Sequence, residues 1–405
     1  MQNRTKVQFG IDYLLQEKLT SLRDLRVGLV TNSAAVTAAF PQPLTPSRLA
    51  LQQAGVKLVK LFSPEHGING QAAEGASVAD QSDALTRLPV HSLYGVTQRP
   101  TSTMLADLDL LLFDIPDIGV RFYTYIWTLA HVLEACAENH LPLWVLDRPN
   151  PLSGDLRLVE GPLLDEARLS TFVGRWSIPV RHSLTIGELA CWWNAERKLA
   201  VALTVLPVQN WQRNQSWPAL ALPFVPTSPN MPTYETALLY PGTCLFEGTN
   251  LSEGRGTTMP FRVVGAPWLD GLAVATAFNR LALPGVVAQA VYFTPASGKH
   301  AGQNCQGLML HPLNPEIMRP LAMGLHLLTT IRQFHKENFQ WAADSLFTPV
   351  SGYNHFDRLI GHPEIRQQLE DGAGDCTTLR QIDLIKAWTD APHWVNCVTP
   401  HLLYR

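Results

Sequence analysis

The sequence predicts a mixed α/β protein built on a parallel sheet that helices cover on both faces. Strongly apolar segments such as 108–115 (LDLLLFDI) alternate with segments of helical apolar spacing over residues 1–150. Polar residues follow several of these apolar segments, as expected where buried strands end. The chain has 405 residues, which is long enough for two or three domains that each bury a core.

The elements of the first 150 residues follow from this alternation. A helix is predicted to start at Thr45-Pro46, with Thr45 as N-cap and Pro46 as first helical residue, and to end at Gly55. A second helix is predicted over Tyr123–Glu138, where apolar residues keep helical spacing. The predicted strands between them are 25–31, 56–62, 89–93, 108–115 and 142–146.

From residue 152 the pattern is less regular. Thr185 and Glu188 form a capping box ahead of a helix, and 201–207 is a predicted strand. Residues 207–233 are rich in Pro, Trp and Asn and are typical of a long connection, so we predict domains at 1–226 and 227–405. In the second domain we predict helices at 269–282, 315–336, 356–371 and 377–389, with strands at 287–293 and 307–311.

Composition excludes several classes of protein. Charged residues make up 16% of the chain and the net charge is -3, which argues against a nucleic-acid partner. The apolar stretches are far shorter than the roughly 20 residues of a membrane span, and the N-terminal residues lack the apolar region of a signal peptide. The six cysteines are scattered without a C-x-x-C pair. We therefore expect reduced thiols and a cytoplasmic protein, or a periplasmic or secreted one if a signal peptide has been removed.

Four of the predicted strands end in polar residues. These ends are Thr31-Asn32, 63–67 (SPEHG), 114–117 (DIPD) and 147–151 (DRPNP). Open parallel sheets bind ligands outside the carboxyl ends of their strands, so we expect the four ends to share one site. The alternative is that these residues only form turns.

Carboxylates, arginines and aromatic residues on predicted loops are the candidates for chemistry. They cluster in the segments 64–75, 114–125 and 228–258. The candidates in these segments are Glu65, His66, Glu74, Asp114, Arg121, Tyr123, Tyr125, Asn230, Glu247, Asn250, Glu253 and Arg255. Paired carboxylates with aromatic platforms are suited to glycoside hydrolysis. Alternatively, Glu253 and Arg255 form a loop-stabilising ion pair, and Tyr123 and Tyr125 pack in the core.

No common motif of another enzyme class is present. The sequence lacks the G-x-S-x-G elbow, the phosphate-binding G-x-x-x-x-G-K-[ST] loop and the H-E-x-x-H zinc motif. We therefore predict no metal site. Residue types and spacing alone are compatible with a two-domain α/β enzyme or a sugar-binding protein.

Several longer segments resemble a bacterial family, the exo-β-N-acetylmuramidases of peptidoglycan turnover. The matching segments span nearly the whole chain, and the block at 228–261 is highly specific. They include GIDYLL (10–15), LFSPEHGING (61–70), LLLFDIPDIGVRFYTYI (110–126), VLDRPNPLSG (145–154) and SPNMPTYETALLYPGTCLFEGTNLSEGRGTTMPF (228–261).

This resemblance implies a Rossmann-like parallel-sheet N-terminal domain joined to a smaller α/β domain, with the active site in the cleft between them. It implies release of N-acetylmuramic acid (MurNAc) from the non-reducing end of MurNAc-GlcNAc fragments, without an organic cofactor. The chain departs from the family in two respects. Many relatives carry an export signal, and relatives commonly read DIQD where this chain has Pro116, which lacks a backbone donor.

Glu65 is the predicted general acid, because it follows a strand in a Gly-rich loop where partial burial would raise its pKa. His66 would orient Glu65 or bind a sugar hydroxyl. The second catalytic group stays open, and substrate assistance by the 2-acetamido group is another option. The eligible side chains are Glu74, Asp114, Glu247, Glu253 and Tyr123. A carboxyl separation of about 5 Å would indicate retention, and roughly 6.5–9.5 Å inversion.

MurNAc carries a lactyl carboxylate that GlcNAc lacks, and arginine is the side chain best suited to bind it. Arg121, Arg148 and Arg255 are the candidates, and Asn150 is a further predicted sugar contact. The sequence leaves two rival functions open. One is a sugar-binding module without turnover, and the other is a different hydrolase, such as an amidase or a metal-dependent enzyme that uses the same acidic loops.

Overall fold

The computed structural model describes residues 6–39, 42–342, 352–371 and 379–405. The strands are β1 (Val27–Thr31), β2 (Leu58–Ser63), β3 (Gln81–Ser82), β4 (Pro89–Ser92), β5 (Leu110–Asp114), β6 (Leu143–Leu146), β7 (Leu203–Leu206), β8 (Val263–Ala266), β9 (Val286–Phe293) and β10 (Cys305–Pro312). The helices are α1 (Gly10–Tyr13), α2 (Ser47–Gln53), α3 (Ser102–Leu105), α4 (Tyr125–Glu138), α5 (Glu166–Leu169), α6 (Ile186–Glu196), α7 (Tyr234–Thr243), α8 (Gly271–Arg280), α9 (Pro320–Phe334), α10 (His355–Ile360), α11 (Pro363–Asp371), α12 (Leu379–Thr389) and α13 (Pro392–Val398).

The larger sheet confirms the predicted fold class. Within the described residues it has seven strands in the order β3-β4-β2-β1-β5-β6-β7. All neighbouring pairs are parallel except β3 with β4. Every residue of the central strands β1 and β5 is buried, which explains why both read as continuous apolar runs. The two-residue strand β3 is exposed and gave no apolar signal.

The smaller sheet lies in the C-terminal part of the chain. Its strands follow the order β8-β10-β9 and pair in antiparallel fashion. Helices α7 and α9 contact each other backbone to backbone, because a Cβ on Gly324 would lie 2.4 Å from the carbonyl oxygen of Gly242. This close approach fixes the end of α7, from which a short 3-10 segment, Cys244–Gly248, continues toward the cleft described below.

Most predicted elements are present, and the differences have local causes. The capping box at Thr185 and Glu188 is confirmed, with the Glu188 N–H donating to Thr185 Oγ1 over 3.2 Å. The predicted helix 356–371 is wrong as one element. Gly361 adopts a positive φ of 84° there, and Pro363 starts a second helix, so α10 and α11 are separate. The predicted helix 377–389 is α12 from residue 379 onward, and residues 377–378 lie outside the described residues.

One apolar cluster runs through both parts of the chain. It joins Phe113 of the larger sheet and Trp127 of α4 to Leu238 of α7 and Leu308 of β10, all of which are at most 1% exposed. The elements that carry polar side chains are therefore positioned against a common packed core. No helix in the described part of the chain is long and apolar enough to cross a bilayer.

A buried carboxylate ties the larger sheet to the C-terminal segment. Asp147 follows β6 and is fully buried. Its Oδ2 accepts hydrogen bonds from Tyr404 Oη (2.5 Å) and Thr185 Oγ1 (2.7 Å), and its Oδ1 accepts one from the Gly187 N–H (2.8 Å). Burial raises the pKa of Asp147 to about 6, and the hydrogen bonds from Tyr404 and Thr185 limit the rise.

Replacing Tyr404 with phenylalanine is expected to lower the free energy of unfolding by about 1–3 kcal/mol, since a buried acceptor loses its donor. Urea unfolding of wild type and Tyr404→Phe would measure the change. Tyr292→Phe is the matched control, because Tyr292 lies on β9 and is 72% exposed. Equal destabilisation by the two substitutions would contradict a specific role of the Tyr404 hydroxyl.

Candidate active site

A cleft opens where the loops at the carboxyl edge of the larger sheet meet the C-terminal part of the chain. The loop after β2 provides Glu65 and Glu74, and the segment between β5 and α4 provides Tyr123. The opposite wall provides Glu247 and Arg255. The cleft therefore brings together polar residues from both parts of the chain, as the resemblance implied.

Glu65 lies on the cleft wall and is 6% exposed. The chain turns sharply after it, because His66 and Gly67 both adopt positive φ values, 68° and 76°. Glu65 Oε2 accepts a hydrogen bond from Thr124 Oγ1 (2.7 Å), and Oε1 accepts one from the Gly75 N–H (3.2 Å). The carboxylate is also close enough to Tyr94 to contribute, after burial, to the raised pKa of the Tyr94 phenol. These contacts hold the carboxylate in a defined orientation.

Aromatic rings form much of the remaining cleft wall. Tyr123 packs edge-on against Tyr125 at 5.0 Å and against Tyr240 at 6.1 Å between ring centroids. The Tyr123 hydroxyl lies 2.6 Å from Thr227 Oγ1, and the Tyr125 hydroxyl donates to the carbonyl oxygen of Thr227. Burial raises the pKa of Tyr123 above its usual range, so its phenol stays protonated at neutral pH.

Arg255 is held between carboxylates on the C-terminal wall. Its Nη2 lies 2.7 Å from Glu247 Oε1 and 2.8 Å from Glu74 Oε1, and its Nε lies 3.5 Å from Glu253 Oε1. The guanidinium group also stacks over the Phe261 ring, with Cζ 4.8 Å from the ring centroid. Arg255 is therefore fixed from several sides and presents positive charge to the cleft.

The flanking glycines bring Arg255 into this position. Gly254 and Gly256 adopt positive φ values of 84° and 76°. A Cβ on Gly256 would lie 2.4 Å from the carbonyl oxygen of Ser297, so this loop requires glycine there.

Two of the three glutamates bound to Arg255, Glu247 and Glu74, have pKa values shifted in opposite directions. Burial raises the pKa of Glu247, but Arg255 and His355 outweigh burial and hold that pKa below its usual range. His355 Nε2 lies 3.3 Å from Glu247 Oε2. Burial of its carboxyl group is the main reason why the pKa of Glu74 is raised to about 8. The negative charge of Glu247 adds to the rise, and the positive charge of Arg255 opposes it. Opposed pKa shifts between neighbouring acids are typical of active sites.

The structure brings together eight of the predicted site residues. The cleft is lined by Glu65, His66, Glu74, Tyr123, Tyr125, Asn230, Glu247 and Arg255. Glu253 supports this group from behind. It is 4% exposed, and its Oε2 lies 3.2 Å from Lys299 Nζ. The ion pair between Glu253 and Arg255 that the sequence offered as an alternative is present, and it supports Arg255 from behind the cleft wall.

The expectation that four strand ends share one site holds only in part. Asp114 at the end of β5 and Arg148 after β6 form a buried ion pair, with Nε 2.6 Å from Oδ1 and Nη2 3.0 Å from Oδ2. Adjacent parallel strands place these two ends side by side, so the charges neutralise each other instead of reaching the cleft. Asn150 also lies outside the cleft, where its amide donates to the carbonyl of Leu184 and accepts from the Leu152 N–H.

Two other predicted site residues, Arg121 and Asn250, bind backbone carbonyl groups outside the cleft. Arg121 is fully buried, and its guanidinium donates to the carbonyl oxygens of Pro162, Ile178 and Leu359 at 2.8–2.9 Å. Asn250 donates to the carbonyl of Asn338 over 2.8 Å. Neither residue lines the cleft. Both side chains therefore bind backbone carbonyl groups outside the cleft, which explains why polar residues occur at these positions.

Sequence reasoning missed several cleft residues. Tyr94 follows β4, so the strand-end rule that selected Glu65 would also have selected Tyr94. His355 gave no comparable signal, because it opens α10 and is far from Glu247 in sequence. Tyr240 and Phe261 resemble ordinary core residues in the sequence. Within the described ranges, no group of three or more His, Cys, Asp or Glu side chains could hold a metal ion.

A cleft that combines carboxylates with aromatic walls is the arrangement of a glycoside hydrolase, and comparison with known proteins gives the same class. The family models described as "Exo-beta-N-acetylmuramidase NamZ, N-terminal" and "Exo-beta-N-acetylmuramidase NamZ, C-terminal" match residues 27–235 and 238–404. The chain therefore belongs to the NamZ family of exo-β-N-acetylmuramidases.

Individual relatives agree with this assignment. The chain is 42% identical to the "Peptidoglycan beta-N-acetylmuramidase NamZ" of Bacillus subtilis (strain 168) over 369 residues, which are 91% of this chain and 86% of that protein. Two crystal structures of DUF1343 family proteins from Bacteroides fragilis NCTC 9343 share the fold. One has a TM-score of 0.85 at 29% identity and covers 99% of this chain and 100% of its own; the other has a TM-score of 0.75 at 30% identity and covers 99% of each.

Proposed function

We propose that this protein is an exo-acting glycoside hydrolase that releases MurNAc from the non-reducing end of MurNAc-GlcNAc fragments of peptidoglycan. The observation that carries the proposal is Glu65, a hydrogen-bonded carboxylate on the wall of a cleft whose opposite wall presents Arg255.

Glu65 is the proposed general acid, which would protonate the leaving glycosidic oxygen. His66 adjoins it, and its Nδ1 lies 2.8 Å from the carbonyl oxygen of Ala72, so the imidazole is oriented by its own loop. For the second catalytic group, the cleft offers Glu74, Glu247 and Tyr123. Asp114 is neutralised by Arg148 outside the cleft. The 2-acetamido group of the substrate remains an alternative to a second protein group.

Arg255 is the proposed contact for the lactyl carboxylate of MurNAc. Of the three arginines that the sequence offered, Arg121 is fully buried and donates to three carbonyl oxygens, and Arg148 is paired with Asp114 outside the cleft. Arg255 lines the cleft and is rigidly supported by Phe261 and Glu247. A planar guanidinium group in this position matches the geometry of a carboxylate.

Hydrolysis of defined MurNAc-GlcNAc, followed by separation of the products and detection of the released anomer, tests the proposed function. We expect free MurNAc and GlcNAc, with release starting at the non-reducing end of longer fragments. Tight binding without release of reducing sugar would instead identify a sugar-binding module. Loss of turnover with EDTA would instead favour a metal-dependent hydrolase.

A cytoplasmic site of action is also proposed, and fractionation of the source cells would test it.

A further inference from the structure

Glu74 differs from the other carboxylates that contact Arg255. The side chains of Glu247 and Glu253 are 12% and 5% exposed, and His355 and Lys299 bind them from behind. The Glu74 side chain is 37% exposed and reaches Arg255 from the opposite side of the cleft, from the loop after β2. Glu247 and Glu253 are thus held in place from behind, whereas Glu74 reaches Arg255 across the cleft.

The contact with Glu74 occupies a position that the substrate needs. Glu74 Oε1 lies 2.8 Å from Nη2 of Arg255, which is a normal distance for a guanidinium–carboxylate hydrogen bond. A carboxylate on a bound sugar would have to approach the same guanidinium group from the cleft. Glu247 and Glu253 cannot yield that place without breaking their contacts with His355 and Lys299.

We propose that Glu74 is a displaceable internal ligand of Arg255, which occupies the place of the substrate carboxylate in the free protein and thereby controls selectivity for anionic over neutral sugars. The inference rests on the proposed function, because it assumes that Arg255 receives the lactyl carboxylate. It assigns to Glu74 a positioning role at the binding step and no contact with the bond that is cleaved, which leaves Glu247 and Tyr123 as the protein's candidates for the second catalytic group.

Charge balance explains why the displacement is feasible at neutral pH. With its pKa raised to about 8, Glu74 is mostly protonated at pH 7, so the substrate displaces a neutral group and no charge is lost from Arg255. Above pH 8 Glu74 ionises. It then binds Arg255 more strongly and repels an incoming carboxylate. The ionisable groups around it are Glu65, Tyr94, Glu247, Glu253 and Arg255, with His66 on its own loop.

The pH dependence of selectivity tests this proposal. The assay compares kcat and KM for chromogenic MurNAc and GlcNAc glycosides from pH 6 to pH 9.5. For wild type we expect the KM ratio, MurNAc over GlcNAc, to rise by about tenfold for each pH unit above 8 as Glu74 ionises. In Glu74→Gln this rise should disappear, because glutamine does not titrate. Glu196→Gln is the matched control, since Glu196 is an exposed glutamate on α6 that does not line the cleft.

Three outcomes would overturn the inference. The first is a wild-type pH profile of the KM ratio in Glu74→Gln. The second is a wild-type KM ratio that does not change between pH 7 and pH 9.5. The third is a loss of kcat in Glu74→Gln without a change in the KM profile, which would mean that Glu74 acts on the reacting bond.

Calorimetric binding of free MurNAc and free GlcNAc to wild type and Glu74→Gln at pH 7 and pH 9 gives a readout without turnover. We expect MurNAc binding to weaken at pH 9 in wild type and to stay constant in the variant. This measurement separates the two proposals. If wild type binds MurNAc with this pH dependence but hydrolyses nothing, the proposed function fails and the role of Glu74 stands. If wild type hydrolyses MurNAc-GlcNAc, and wild type and Glu74→Gln bind MurNAc with the same pH dependence, only the role of Glu74 fails.

Discussion

Replacing Glu65 with glutamine is expected to reduce kcat for a chromogenic MurNAc glycoside by about 10²–10⁴-fold, the usual contribution of a general acid. Glutamine keeps the size of the side chain and one acceptor for Thr124 or the Gly75 N–H, but it cannot donate a proton to the leaving oxygen. Steady-state kinetics at neutral pH measure the effect. KM should change much less than kcat, because the substitution removes an interaction of the transition state.

Glu235→Gln is the control for this experiment, since Glu235 is exposed in the first turn of α7 and does not line the cleft. Thermal unfolding of both variants would show that the fold is retained. Turnover by Glu65→Gln within a few-fold of wild type would rule out Glu65 as the general acid. In that case Glu74, whose raised pKa keeps it mostly protonated at neutral pH, would have to supply the proton, and Glu74→Gln would show whether it does.

Replacing Arg255 is expected to abolish the preference for MurNAc over GlcNAc. Arg255→Ala should lower kcat/KM for the MurNAc glycoside by about 10²-fold, because truncation of a partly buried charged contact costs roughly 2–5 kcal/mol. The GlcNAc glycoside has no lactyl carboxylate and should lose much less. Arg255→Lys is the milder variant. It keeps the positive charge for Glu247 and Glu253 but loses the planar fork, and we expect about a tenfold loss with MurNAc.

Arg148→Lys is the matched control for Arg255→Lys. Arg148 forms a bidentate pair with Asp114 in the protein interior, so its substitution should lower the unfolding temperature and leave the sugar preference unchanged. Kinetics on both glycosides, together with thermal unfolding, separate the two effects. Equal losses on both sugars for Arg255→Ala and Arg255→Lys would contradict recognition of the lactyl group by Arg255.

The sequence predicted the parallel sheet well because its central strands β1 and β5 are buried along their whole length. β1 and β5 were located within two residues at each end, since their burial on both faces leaves a continuous apolar run. The extra break at Gly361 and the short strand β3 were missed because each depends on a few residues with weak periodicity. Signals carried by so few residues usually affect where a helix or strand is predicted to end, and less often whether it is predicted at all.

The candidate site was predictable where function follows from local chain geometry. Glu65 comes directly after a strand, in a loop whose glycines allow the turn, and both features are visible in the sequence. Arg121 shows the opposite case. Its three acceptors lie on Pro162, Ile178 and Leu359, and no nearby residue indicates that these distant carbonyl groups would surround it. His355 was missed for the same reason, because only the tertiary fold brings it to Glu247.

The hydrogen bond between Tyr404 and Asp147 limits how this protein can be divided. It joins positions 257 residues apart, and it caps a strand of the larger sheet with a side chain from the C-terminal segment. A fragment with residues 1–226 would contain every strand of that sheet yet would leave Asp147 without one of its donors. The larger sheet is therefore not a module that could be grafted elsewhere intact. Recombination between relatives would have to exchange both segments together to preserve it.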